Sequence, residues 1–278
     1  MGFSFIFVGG LLSRALRSPM PTVETAILAI NVMIVGFLCN YIFDIANQAS
    51  SPEEDVLNKP NRPIPAGLIS IDQAKTRWLL AWTLGPLFIY FFFGVWATIH
   101  LFHFQSIIFV CYVWPRWYSW LMRNYFAASS YFILARLLNQ VLAKTTPNWN
   151  MSPRIDFIIF VFLLGSVQIQ EFYDLEGDRK SDRKTLPMLL SDRGLKILRV
   201  GTSIFIFAFC TGLSIIAYKN VIHDNLVASS CVLQQLSSCV LAYRIWSSKS
   251  VEMDRATYHV YYYPTNFAIL LLLVLVTK

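Results

Sequence analysis

Six residues with oxygen-donor side chains fall into two groups far apart in the chain: Asn40, Asp44 and Asp55, then Asp174, Asp178 and Asp182. Asn40 and Asp44 are four apart, as are successive members of the second group, so on a helix each set lines one face. Like charges at that spacing repel. The repulsion is relieved when Mg²⁺ sits between the carboxylates and a phosphorylated group, because Mg²⁺ takes oxygen ligands and is commonly shared with phosphate. Basic residues follow each group: Lys59 and Arg62 after the first, Arg179, Lys180, Arg183 and Lys184 after the second. Such cations suit negative charge growing on a departing diphosphate. Gln170 and Glu171 precede Asp174 and are placed to support its ligands from behind. Either loop alone reads well as solvated charges flanking helices; the two together favour a metal and phosphate site.

The stretches that must position these groups are too apolar for a water-soluble domain. Of 278 residues, 56% are hydrophobic and 14% charged, with a mean hydropathy of +0.51. Residues 78–115 contain no Asp, Glu, Lys or Arg. This predicts two spans joined by a short turn, with His100 and His103 near it. Charge-free stretches at 25–43, 157–170, 200–218, 225–243 and 256–277, together with 124–143 interrupted by Arg136, bring the expected total to eight spans, each near the roughly 20 residues that cross a bilayer. The apolar opening, 3–12, is shorter and reads as a short first helix without the cleavage region of a signal peptide. Long uninterrupted apolar stretches suit helices rather than barrel strands, so the expected fold is an all-α, polytopic membrane bundle forming one domain over 1–278.

Counting spans gives the sidedness. The segments 44–77, 114–123, 174–199 and 244–255 share one membrane face and hold sixteen of the 23 Lys and Arg. The positive-inside bias puts that face in the cytoplasm, and an endoplasmic reticulum membrane is compatible with it. The same parity brings both acidic groups to one face, where they can converge on one ligand. The formal charge of +7 lies in these membrane-flanking loops rather than along a soluble face, which argues against nucleic acid as a partner. Five cysteines without paired spacing read as packing residues. Arg136, in mid-span, needs a polar partner such as Asn139 or Gln140, or a cavity.

Asn40-x-x-x-Asp44, then Asp55-x-x-Asn58-Lys59-Pro60-x-Arg62-Pro63-Ile64-Pro65-Ala66-Gly67, and later Asp174-Leu175-Glu176-Gly177-Asp178 with Arg183-Lys184-Thr185-Leu186-Pro187, resemble the two signatures of the UbiA superfamily of intramembrane prenyltransferases. The resemblance covers almost the whole chain. It implies nine helices around a lipid-open cavity, with Mg²⁺ and a prenyl diphosphate under a cytoplasmic cap. It further implies that Asn40, Asp44, Asp55, Asp174, Asp178 and Asp182 hold metal, and that Lys59, Arg62, Lys184, Tyr112, Arg116 and Arg123 bind diphosphate. The first signature departs from the usual form: Tyr41 follows Asn40, and eleven positions separate Asp44 from Asp55. This leaves open which of Gln48, Glu53, Glu54 and Asp55 meets metal, and it is similar to a fungal branch that includes terpene cyclases.

The activity so implied is Mg²⁺-dependent ionisation of a prenyl diphosphate, farnesyl diphosphate in the first instance, followed by cyclisation to a terpene. One alternative is a prenyltransferase that hands the same cation to an aromatic or other lipophilic acceptor; another is a truncated, non-catalytic lipid-binding protein. The 22 Phe, 13 Tyr and 8 Trp suit a carbocation, yet single rings in spans mostly pack or mark the interface, so none is nominated. The residues do not specify the oligomeric state.

Overall fold

The computed structural model describes residues 9, 11, 21–50, 52–114, 120–145, 152–175, 185–220 and 224–276, with no strand among them. Eight helices are long and apolar enough to cross a membrane: Thr22–Ser50, Ile71–Phe93, Val95–Val113, Trp120–Lys144, Pro153–Glu171, Asp192–Lys219, Asn225–Ser247 and Val251–Val276, hereafter the first to eighth spans. These are the eight expected from the charge-free stretches. Of the short opening helix only Gly9 and Leu11 are described; both are helical, and a side chain at Gly9 would collide with Leu270 of the eighth span.

Periodicity sets which face each span buries. Along the first span Ile27, Ile30, Ile34, Phe37 and Tyr41 are exposed, whereas Leu28, Val32, Val35, Cys39, Ile42 and Ala46 are buried. Both sets recur at three- and four-residue steps, so a helix apolar all round presents one stripe to protein and the other to lipid. The fourth span is the most enclosed and packs between the third and fifth.

Inside hydrocarbon every backbone group needs a partner, and the chain meets this where its own sequence breaks the ladder. Pro86 has no N–H to give the carbonyl of Trp82. The buried Gln105 of the third span donates its amide to that carbonyl at 3.1 Å, while the Trp82 indole donates to the Ile42 carbonyl of the first span at 3.3 Å. Trp82 thus ties three spans together, through the carbonyl that Pro86 leaves free and through its indole. Gly94, at φ +89°, makes the reversal between the second and third spans, a conformation that favours glycine. His100 and His103, expected beside that turn, stand instead inside the helix Val95–Ile108.

Arg136 pairs with Asp156, a fully buried carboxylate in the first turn of the fifth span, a partner beyond the local Asn139 and Gln140 that the sequence offers. Two desolvated charges thereby join the fourth and fifth spans. The sixth and seventh are joined by neutral bonds, Ser214 to Gln234 at 2.6 Å and Thr211 to Gln235 at 3.3 Å, and the fifth and sixth by Gln168 to Thr202 at 2.9 Å.

The bundle end that carries the acidic segments is clamped separately. Arg199, at the start of the sixth span, makes a two-pronged contact with Asp254 at 2.7 and 2.6 Å and lies over the Phe172 ring at 4.3 Å. Two spans also widen into π-helical turns there, Phe109–Val113 and Thr257–Tyr262. Such turns re-aim side chains that regular helix would direct elsewhere.

Candidate active site

At that end five parts of the chain meet around one polar cavity of about 150 Å³. The last turns of the first span contribute Phe43 and Asn47, and the following loop contributes Lys59 and Arg62. Tyr112 enters from the π-helical turn of the third span and Arg123 from the first turn of the fourth. Gln170 and Glu171 come from the 3₁₀ turn that closes the fifth span, followed by Tyr173 and Asp174. The residues expected to serve one ligand therefore assemble in part: Lys59, Arg62, Tyr112, Arg123 and Asp174 share the cavity. Arg116, Asp178, Asp182 and Lys184 lie outside the described residues.

The first acidic group is arranged differently. Asn40 donates its side-chain amide to the Gly36 carbonyl at 2.8 Å, one turn back along its own helix. Asp44 is half-buried, and the charges acting on it are Arg62, Lys59 and Asp55. Asp55 is 4% exposed, and both its oxygens accept from Arg62 Nη1, at 2.9 and 2.8 Å. The pairing follows from local structure. Pro52 starts a short helix, Pro52–Asn58, as proline suits a first position. The turn closed by Arg62 N–H donating to the Lys59 carbonyl then swings the guanidinium back over Asp55. None of these three acids or amides lines the cavity; the first segment reaches it through Asn47, Lys59 and Arg62.

The second segment presents its groups directly. Glu171, 1% exposed, faces Arg123 Nη1 at 3.8 Å. Burial, and then the neighbouring Asp174 carboxylate, push the Tyr173 hydroxyl up to about 12, so it remains a proton donor at neutral pH. The cavity wall thus holds three cations and two carboxylates, an excess of positive charge that suits an anion. Beside it Phe43, Tyr112 and Phe126 form a ring cluster: Phe43 stacks on Phe126 at 5.2 Å, and Tyr112 meets both edge-on at 5.2 and 4.6 Å.

The donor chemistry fits Mg²⁺. Hard oxygen donors line the cavity in Asp174, Glu171 and Asn47; Asp44 stands outside that lining, and the buried Oε1 of Gln48, one turn after it, has no hydrogen-bond partner among the described residues. No group of three carboxylate, His or Cys side chains close enough to hold a metal occurs among the described residues.

Sequence reasoning missed Asn47, Phe43 and Tyr173. Asn47 could have been found, since it lies three residues after Asp44 and on the same helix face. Gln170 and Glu171, assigned to a supporting position, line the cavity themselves, because the 3₁₀ turn Val167–Glu171 tightens the helix end and turns both inward.

Comparison with known proteins bears on the family and the fold. The family model of the UbiA prenyltransferase family matches residues 3–271. The chain is 29% identical to somaliensene A/B synthase of Streptomyces somaliensis, over 89% of this chain and 80% of that protein. It is 25% identical to the diterpene cyclase eriG of Hericium erinaceus, over 80% and 68%. To the polyprenyl transferase eriF of the same fungus it is 26% identical, over 96% and 86%. The apo structure of a UbiA homolog from Aeropyrum pernix K1 superposes with a TM-score of 0.62, covering 99% of this chain and 96% of the other at 15% identity, which bears on the fold. The chain belongs to the UbiA prenyltransferase family, and it is a membrane enzyme of the terpene cyclase or prenyltransferase kind.

Proposed function

We propose that the protein ionises a prenyl diphosphate at the polar end of the bundle and lets the resulting cation cyclise to a terpene among the spans. The observation that carries this reading is the single cavity in which Lys59, Arg62 and Arg123 face Glu171 and Asp174 beside a cluster of aromatic rings. Lys59, Arg62 and Arg123, with Arg116, Lys184 and the hydroxyl of Tyr112, bind the diphosphate. Asp174, Asp178 and Asp182 of the second segment would hold Mg²⁺, whereas in the first segment Asn40, Asp44 and Asp55 stand outside the cavity lining and Asp55 acts by aiming Arg62. When bound, Mg²⁺ supplies positive charge to the diphosphate oxygens.

Ionisation breaks the bond between C1 of the prenyl chain and the diphosphate oxygen, and the electron pair leaves with the diphosphate. Arg62, Arg123 and Lys59 meet the charge that grows on it, and Tyr173 can donate a hydrogen bond to it. The π faces of Phe43, Tyr112 and Phe126 suit the allyl cation left behind, and the apolar spans keep water from capturing it. A double bond of the same chain then closes on the cation, and transfer of a proton from the cyclised cation to the released diphosphate completes the product. The acidic segments face the cytoplasm, with the chain acting as one membrane domain, and the endoplasmic reticulum is the membrane we assign.

Transfer to an aromatic or other lipophilic acceptor is the second reading, favoured by the likeness to a polyprenyl transferase over 96% of the chain. One experiment separates the two. The purified protein in lipid receives Mg²⁺ and farnesyl or geranylgeranyl diphosphate, with and without a phenolic acceptor. A hydrocarbon product without acceptor supports cyclisation. Turnover that strictly requires the acceptor overturns it in favour of transfer, and no diphosphate release with either overturns both.

A further inference from the structure

The eighth span carries four tyrosines in six residues, Tyr258, Tyr261, Tyr262 and Tyr263, three of them within the π-helical turn Thr257–Tyr262. Two of the hydroxyls form a directed chain that ends at the cavity. Tyr263 donates to the Tyr258 hydroxyl at 2.9 Å, and Tyr258 donates to Oε1 of Gln170 at 3.3 Å. Gln170 lines the polar cavity, between the aspartate-bearing segment and the cations. Its Oε1 is thus engaged by Tyr258, which leaves the N–H₂ group of this cavity-lining residue to donate elsewhere. The Tyr258 ring is itself fixed, against Tyr173 at 5.7 Å, Tyr262 at 5.7 Å and His259 at 5.0 Å.

We infer that Tyr258 is a positioning residue: backed by Tyr263, it holds Gln170 so that the Gln170 amide donates to the departing diphosphate. This deepens the proposed function and rests on it. The chemistry asks for such a donor. Negative charge on the diphosphate is greater in the transition state than in the bound substrate, so an amide pre-aimed at that spot acts mainly on kcat. A flexible glutamine would have to be ordered during the reaction; one held by a tyrosine is ordered beforehand. Tyr258 and Tyr262, four residues apart, stack on one another and each engages the fifth span, Tyr258 at Gln170 and Tyr262 at Ser166, 2.9 Å away.

The test is steady-state kinetics of Mg²⁺-dependent diphosphate release by the full chain in lipid, with farnesyl and geranylgeranyl diphosphate, alongside thermal melting. Tyr258→Phe keeps the ring and removes the hydroxyl. It should lower kcat about tenfold with KM changed less than about threefold. Gln170→Glu should lower kcat further, because a carboxylate still accepts the Tyr258 hydrogen bond but offers no N–H to the diphosphate and places a negative charge beside it. Tyr258→Phe combined with Gln170→Ala should be no worse than Gln170→Ala alone, as expected for residues acting in series. Tyr261→Phe, whose ring lies under Arg244, should behave as wild type. Wild-type kcat in Tyr258→Phe, or full additivity in the double variant, would overturn the inference while the parent reading stands. A Tyr258→Phe protein that only melts earlier, with kcat per folded molecule unchanged, would overturn it likewise. A wild-type protein that releases no diphosphate from either substrate would overturn the parent reading and this inference with it.

Discussion

The two acidic segments occupy equivalent places at the ends of the first and fifth spans, yet they meet the cavity in opposite ways. The second offers its carboxylates and its amide to the open space: Asp174, Glu171 and Gln170 all line it. The first turns its acids toward its own chain. Asn40 bonds to Gly36, Asp55 is held by Arg62, and the cavity sees the cations Lys59 and Arg62 with Asn47. The difference teaches that a symmetric motif pattern can carry unequal work. In the proposed function the second segment meets metal and phosphate directly, and the first aims positive charge. An eleven-position gap between Asp44 and Asp55 makes this possible, because it leaves room for the short helix and turn that fold Arg62 back onto Asp55.

Asp174→Ala should do the most damage, lowering diphosphate release on the order of 10³-fold, the scale of removing a group that stabilises transition-state charge. Membrane insertion and melting should stay near wild type, as read by release assays and thermal denaturation in lipid. An equal or larger loss in Asp44→Ala would break the asymmetry. Arg136→Met follows, with a stability loss of about 3 kcal/mol, because it strands the buried Asp156 charge. Arg136→Met with Asp156→Leu should recover most of that loss, and activity per folded molecule should hold throughout, which separates this distant ion pair from the chemistry.

Smaller effects sharpen the comparison further. Asp55→Asn should reduce kcat by about tenfold by loosening Arg62, and adding Arg62→Gln should cost little beyond Arg62→Gln alone. Additive losses would mean that Asp55 meets the ligand on its own account. Gln105→Leu should destabilise by about 1–2 kcal/mol, the cost of leaving the Trp82 carbonyl unpaired in hydrocarbon, and should leave kinetics unchanged.

Much of this architecture was legible in the residues alone. Charge-free stretches defined eight spans because hydrocarbon tolerates so few exceptions, and span parity alone brought Lys59, Arg62, Arg123 and Asp174 to one end. What escaped depends on atoms placed by tertiary packing. The partner of Arg136 is twenty positions away in sequence and sits on another helix, so local polar neighbours such as Asn139 and Gln140 were the visible candidates. The pairing of Asp55 with Arg62 needs a turn geometry that motif spacing does not encode. Tyr258 meets Gln170 across two spans, a pairing for which a run of tyrosines is no signature. Gly94 outcompetes His100 and His103 as the reversal point through its positive φ, a backbone preference that hydropathy does not register.

The most direct measurement is diphosphate release by the purified chain in lipid, given Mg²⁺ and farnesyl or geranylgeranyl diphosphate, with wild type and Asp174→Ala side by side and each repeated after chelation of the metal. The account predicts release from wild type that stops on chelation and falls about 10³-fold in the variant. Release that survives chelation, or proceeds equally in Asp174→Ala, would contradict it.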